Sequence, residues 1–121
     1  MPTLWAPRTT FESVRPDDTF PILIKFVPPS LSQENPNIDP KTLLTSYVAE
    51  LLQKGFPADK AKASRDTIEV QLLGSFTTQD ILSLAGTVIG KDSEKRSLAY
   101  AIEVTTQDNR IVARALGLVS L

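Results

Sequence analysis

The sequence predicts an α+β domain in which a five-stranded antiparallel sheet wraps around one helix. Three observations predict it. Residues 42–54 carry one amphipathic stripe of helical period, the chain after residue 66 reads as four strands separated by turn signals, and residues 20–27 alternate with period two ahead of the helix. A lone helix cannot bury its own stripe, and a sheet of this size has a face to cover, so packing one on the other is economical. At 121 residues the chain makes one domain, spanning 1–121, large enough to fold without disulfides or a structural metal.

Residues 1–19 are proline-punctuated, with Pro2, Pro7, Pro16 and the doublet Asp17-Asp18, and form an extended arm anchored by Trp5, Phe11 and Val14. In 20–27, Phe20, Ile22, Ile24 and Phe26 share one face and Leu23 and Lys25 the other, the pattern of a half-buried strand. Pro28-Pro29 stops it. A loop over 30–40 ends in Asp39-Pro40, a helix cap followed by proline at the first helical position. Leu43, Leu44, Tyr47, Val48, Leu51 and Leu52 make the helical stripe, and Gly55 is placed for a left-handed cap. One further helical turn is expected over 57–63. Strands are expected over 67–73 (Ile68, Val70 and Leu72 on one side), 81–90, 97–106 (Leu98, Tyr100, Ile102 and Val104 on the core face) and 110–119. Gln79-Asp80, the polar run 91–95 and Asp108-Asn109 supply the turns. These four strands read as an uninterrupted meander, and the order β-α-β-β-β-β is that of a hot-dog fold.

Composition excludes several functions. With 13 basic and 14 acidic residues there is no electrostatic footprint for nucleic acid. The absence of cysteine removes disulfides, thiolate nucleophiles and Cys-rich zinc sites. The absence of histidine removes the side chain most used for proton transfer near neutral pH, and most remaining zinc sites. No metal and no cofactor are expected. No apolar run approaches the roughly 20 residues of a membrane helix, and residues 1–8 lack the organisation of a signal peptide. A soluble, cytoplasmic protein is the expectation.

The segment Phe11-Glu12-Ser13-Val14-Arg15-Pro16-Asp17-Asp18, leading into a strand, resembles the opening of MaoC-like hydratases. The stretch 73–88 is similar to that family's strand, Pro-Gly-Asp turn and Gly-x-Val strand, and 101–115 to its last hairpin. The resemblance covers about two thirds of the chain, and it implies an acyl-thioester hydratase or dehydratase acting on a CoA or carrier-protein substrate. The family's catalytic signature is Asp, one residue, Asn-Pro, an aliphatic residue and His. Here Asn35 and Pro36 match, but Gln33 stands at the Asp position and Ile38 at the His position. Neither can move a proton. The resemblance therefore implies a divergent subunit, acting as a homodimer or beside a catalytically intact hot-dog subunit. Small acyl-CoA thioesterases share these strand signatures, but they enter the helix through His-Gly-Gly, where this chain has Asp39-Pro40-Lys41-Thr42. A thioesterase reading would use Glu50, near the acidic position of that helix. A third reading is a binding or structural module with no chemistry of its own.

The candidate catalytic residues are Glu34, a displaced acid/base or a solvated loop residue, and Glu50, a base or a surface residue. Candidate substrate-binding residues are Asn35, which also suits plain turn chemistry, Asp39, which suits a helix cap, Thr42, and Tyr47, which lies on the apolar stripe. In this fold the helix N-terminus aims N–H groups at the thioester carbonyl, an electrostatic feature that survives loss of the proton-transfer residues.

Overall fold

In the computed structural model, residues 4, 10–27, 39–56, 59–60, 67–76 and 80–120 are described. The elements run β1 (Leu23–Phe26), α1 (Pro40–Gly55), β2 (Glu69–Leu72), β3 (Ile81–Asp92), β4 (Ser97–Thr105) and β5 (Ile111–Ser120). They form one antiparallel sheet in the order β1-β3-β4-β5-β2. Only β3, β4 and β5 are a meander. The expected uninterrupted run fails at β2, which pairs with β5 on the far edge rather than with β3. The connection over 73–80 permits this: eight extended residues reach roughly 26 Å, whereas three strand spacings need only about 14 Å. Alternation identifies a strand, but a connector this long leaves its partner open.

Helix α1 starts as its sequence dictates. Asp39 is the N-cap, Pro40 opens the first turn, and Leu44, Tyr47, Val48, Leu51 and Leu52 are buried. Gly55 does not adopt the left-handed conformation; no described glycine does. The helix ends instead on an extended Phe56, whose N–H donates to the Leu52 carbonyl. Gly55 answers a steric demand: a Cβ there would lie 2.4 Å from Phe20 Cδ1, and one at Gly86 would lie 2.4 Å from Phe20 Cδ2. The Phe20 ring is thus clamped between helix and sheet. Phe56 and Tyr100 meet it edge-on, with centroids 5.2 and 6.1 Å away.

Facing α1, the sheet buries Leu82, Leu84 and Val88 of β3, Leu98, Tyr100, Ile102 and Val104 of β4, and Ala113, Ala115 and Val119 of β5. β1 divides its residues differently from the simple alternation. Phe20 is buried, but so are Leu23 and Val27, while Ile22, Ile24 and Phe26 face out. The pairings Thr19↔Thr87 and Leu23↔Leu84 differ by one residue in register, and Pro21, with no N–H for the ladder, lies in that offset. One residue of slip exchanges the two faces of a strand.

The arm is anchored as expected at Phe11 and Val14, both buried, and also at Leu4, whose N–H donates to the Thr19 carbonyl. Trp5 lies outside the described residues. Lys91 donates to the Val14 carbonyl and, with Arg96, stacks its cation over the Phe11 ring. Of the extra turn expected over 57–63, Asp59 and Lys60 are helical and the rest lies outside the described residues.

Candidate functional site

The N-terminal turn of α1 is the best-defined polar feature near a cleft. Asp39 Oδ1 accepts from the Lys41 N–H at 2.7 Å, Oδ2 accepts from the Thr42 hydroxyl at 2.8 Å, and the Asp39 carbonyl accepts from the Leu43 N–H at 3.1 Å. Pro40 has no N–H to offer. The Thr42 hydroxyl first, then the Lys41 amide, holds the Asp39 carboxyl below the usual carboxylate range, with a smaller pull from the Thr42 amide. An ionised carboxylate therefore occupies the Lys41 N–H, a donor that a helix start would otherwise direct at a ligand. Deeper in the helix, Thr45 donates to the Lys41 carbonyl.

A cleft of about 1150 Å³ adjoins this turn. Its lining joins Lys41 and Thr45 of α1, Ile68 before β2 and Val70 within it to Ala101 and Arg114 on the outward side of the sheet. Apolar and small side chains share the walls with Lys41, Arg114, Glu69 and Glu103. Asp39 and Thr42 stand beside Lys41 at that end. Among the described residues, no group of three or more Asp, Glu, His or Cys is placed to hold a metal ion.

Tyr47 and Glu50 form a different cluster, on the β1 side of the helix. Lys25 Nζ lies 3.1 Å from Glu50 Oε2 and 3.4 Å from Oε1, and 5.2 Å from the centroid of the Tyr47 ring. Burial pushes the Tyr47 phenol up, partly offset by Lys25. Glu50 follows Thr42 by eight residues, about 12 Å along the axis.

Glu34 and Asn35, with Gln33, Pro36 and Ile38 of the altered motif, lie outside the described residues. Lys25 was not singled out from the sequence, although a cation on the same face as Leu23 was a usable signal. Asp80 was read only as a turn residue. It is buried, its carboxylate accepting from Gln107 Nε2 at 3.1 Å and facing Arg110 at 3.7 Å, which ties the start of β3 to the β4–β5 hairpin. Nothing in local spacing announces a contact across 27 residues.

No family model matches the sequence, and no curated protein matches it either. Solved structures do. R-hydratase PhaJ1 from Pseudomonas aeruginosa, in its unliganded form, superposes with a TM-score of 0.68 at 10% identity, over 90% of this chain and 83% of that one. The (R)-hydratase from A. caviae involved in PHA biosynthesis gives 0.68 at 13% identity, over 91% and 98%. A hypothetical thioesterase protein from Streptococcus pneumoniae TIGR4, solved with coenzyme A, gives 0.56 at 15% identity, over 82% and 77%. Together with the strand order and the single enclosed helix, these superpositions decide the architecture.

The chain has the hot-dog fold.

In this hot-dog domain the helix N-terminus, the β2 edge and the cleft are adjacent, whereas Tyr47 and Glu50 face β1. The hydratases and the thioesterase above share the scaffold at identities too low to carry residue roles across.

Proposed function

We propose that this hot-dog domain binds an acyl thioester, carried by CoA or a carrier protein, as a divergent cytoplasmic member of the hydratase/dehydratase class that lacks the class's own proton-transfer chemistry. It would act as a homodimer or beside a catalytically intact hot-dog subunit. The observation that carries this reading is Asp39. Its carboxylate already accepts from the Lys41 N–H and the Thr42 hydroxyl at the start of α1, so an oxyanion developing there would meet a negative charge. A carboxyl held below its ordinary range is ionised at neutral pH and has no proton to donate. The 121 residues also contain no histidine, and Gln33 and Ile38 stand where the resemblance places Asp and His. The adjoining cleft, where apolar side chains stand beside Lys41 and Arg114 and also beside Glu69 and Glu103, has room for an acyl chain.

A thioesterase using Glu50 has less support, because Lys25 pairs with both oxygens of that carboxylate. One experiment separates the readings. The purified chain is titrated with a saturated acyl-CoA by calorimetry, then incubated with a 2-enoyl-CoA while loss of the conjugated double bond and release of free thiol are followed. Saturable binding with neither reaction is expected. Hydration at an ordinary enzymatic rate overturns the non-catalytic reading, thiol release favours the thioesterase, and absence of binding removes the thioester altogether.

A further inference from the structure

The register sorts the floor of the cleft into rows that run across the strands. Ala85, Glu103, Arg114 and Gln71 are successive cross-strand partners, and Ala101 and Leu116 are paired in the next row. All of them line the cleft. One row further, Ala99 lies opposite Leu118, beside Ile89 at the bulge of β3. These three line a second hollow of about 470 Å³, which shares Ile89 and Leu116 with the cleft and so continues it along the strands.

Polarity is therefore graded from one end to the other. At the first row, Glu103 and Arg114 pair at 3.6 Å with about half of each side chain exposed, next to the Gln71 carboxamide. At the third row, about 14 Å along β4, Ile89, Ala99 and Leu118 are aliphatic, and the nearby Thr67 hydroxyl is engaged with the Leu118 backbone. Charge decides what suits the polar end. Among the described residues the cleft is bordered by two cations, Lys41 and Arg114, and two anions, Glu69 and Glu103. A charged group entering it would give up hydration for no net attraction. A bare alkyl chain laid over the Glu103–Arg114 pair would strip water from both charges and return nothing. An uncharged hydrogen-bonding group avoids both costs. A guanidinium has five N–H donors and a carboxylate two acceptor oxygens, more than one mutual contact uses.

We propose that the cleft seats a neutral amphipathic chain, with an alkyl segment over Ile89, Ala99 and Leu118 and an amide or hydroxyl group against Glu103, Arg114 and Gln71. This rests on the cleft being the ligand site of the proposed function, and adds which way the ligand lies and what its polar group is. In an acyl thioester that group comes from the amides of the carrier arm or from an oxygen substituent on the acyl chain. The carrier's phosphates stay outside.

The test is calorimetric titration of the full chain with decanamide, decanoate and decanoyl-CoA. Decanamide is expected to bind on the order of tenfold more tightly than decanoate. Glu103→Leu together with Arg114→Leu removes the pair without stranding a lone charge, and is expected to erase that preference with unchanged circular dichroism. Ala99→Phe fills the apolar end and is expected to weaken decanamide about tenfold while sparing hexanamide. Two further ligands separate the sources of the polar group. Decanoyl-pantetheine binding more tightly than the amide-free S-ethyl thioester of decanoic acid assigns it to the carrier arm, and the S-ethyl thioester of 3-hydroxydecanoic acid binding more tightly than both assigns it to the acyl chain. The ligand series needs no variant to fold. Decanamide no tighter than decanoate, or a preference that the double variant keeps, overturns the proposal and leaves the thioester reading standing where decanoyl-CoA binds. Decanamide bound as expected, with decanoyl-CoA not bound, removes the thioester and keeps the neutral chain. No binding of any of these ligands overturns both.

Discussion

The carboxylate of Asp39 accepts from the Lys41 amide and the Thr42 hydroxyl, and the same two contacts keep it ionised beside Lys41, which lines the cleft. Replacing it with glycine, which is also a tolerated N-cap, removes the negative charge and returns the Lys41 and Thr42 amides to whatever lies beyond the helix end. Asp39→Gly is therefore expected to tighten acyl-CoA binding about two- to fivefold, the scale of one charge at a helix terminus, and to lower the Tm only slightly. Calorimetric titration of parent and variant measures it; equal affinities would mean that the thioester is not seated at this helix end. The cap itself was legible, because Asp before Pro ahead of an apolar stripe has few other uses. Its consequence was not. That the cap engages a donor an acyl carbonyl could use follows only from the Lys41 N–H being turned onto the carboxylate.

Between helix and sheet, the clamp on Phe20 sets how closely the two layers approach. Gly86 leaves room for one edge of the ring and Gly55 for the other, while Gly86 lies opposite Ile102 in the ladder. Gly86→Ala forces the ring, the strand or the helix to move in a close-packed region and is expected to cost about 1–3 kcal/mol. Phe20→Leu in that background should recover part of the loss, a coupling visible in a double-mutant cycle of urea melts; strict additivity would show that the ring and Gly86 are not in contact. At this scale the sequence was informative about which elements exist and less so about their partners. The six-residue stripe gave the helix, and φ of 65° at Asn109 matches the hairpin expected at Asp108-Asn109. The inverted face of β1 depends on a one-residue offset beside Pro21, and the position of β2 depends on how far eight residues reach. Neither is written in local periodicity. Gly55 reads as a terminator by position alone, and only the location of Phe20, 35 residues earlier, shows why a side chain is excluded there.

Over the whole molecule, titration divides into an acid limb, a flat middle and an alkaline limb. The 121 residues contain no histidine, so no side chain of ordinary pKa changes charge between about pH 5 and 8, and stability should be level there. On the acid side, hydrogen bonds hold Asp39, Asp108 and Glu12 below their ordinary values, through Thr42, Thr106 and the Glu12 backbone amide respectively. A depressed carboxyl stabilises the fold above its unfolded pKa, and that contribution is lost as pH falls through the folded value. The alkaline limb has the opposite sign. Tyr100 is fully buried above Gly117, whose missing Cβ makes room for the phenol. Burial pushes this phenol from 10.0 up to about 12, and Thr67 pulls it back slightly. The Thr67 hydroxyl both donates to and accepts from the Leu118 backbone, and among the described residues the Tyr100 hydroxyl meets no hydrogen-bond partner of good geometry. Because the folded chain holds this proton more tightly than the unfolded one, the contribution is intact below pH 10 and lost as pH rises toward about 12. Tyr47 shifts in the same direction. Tyr100→Phe removes the larger of the two shifts together with a buried hydroxyl lacking a partner. The variant is expected to match the parent or exceed it by up to about 1 kcal/mol at neutral pH, and to keep much of the stability that the parent loses above pH 10. Urea melts of both proteins from pH 3 to 11 measure this. An alkaline limb as steep in the variant as in the parent would mean that the Tyr100 phenol does not carry the loss.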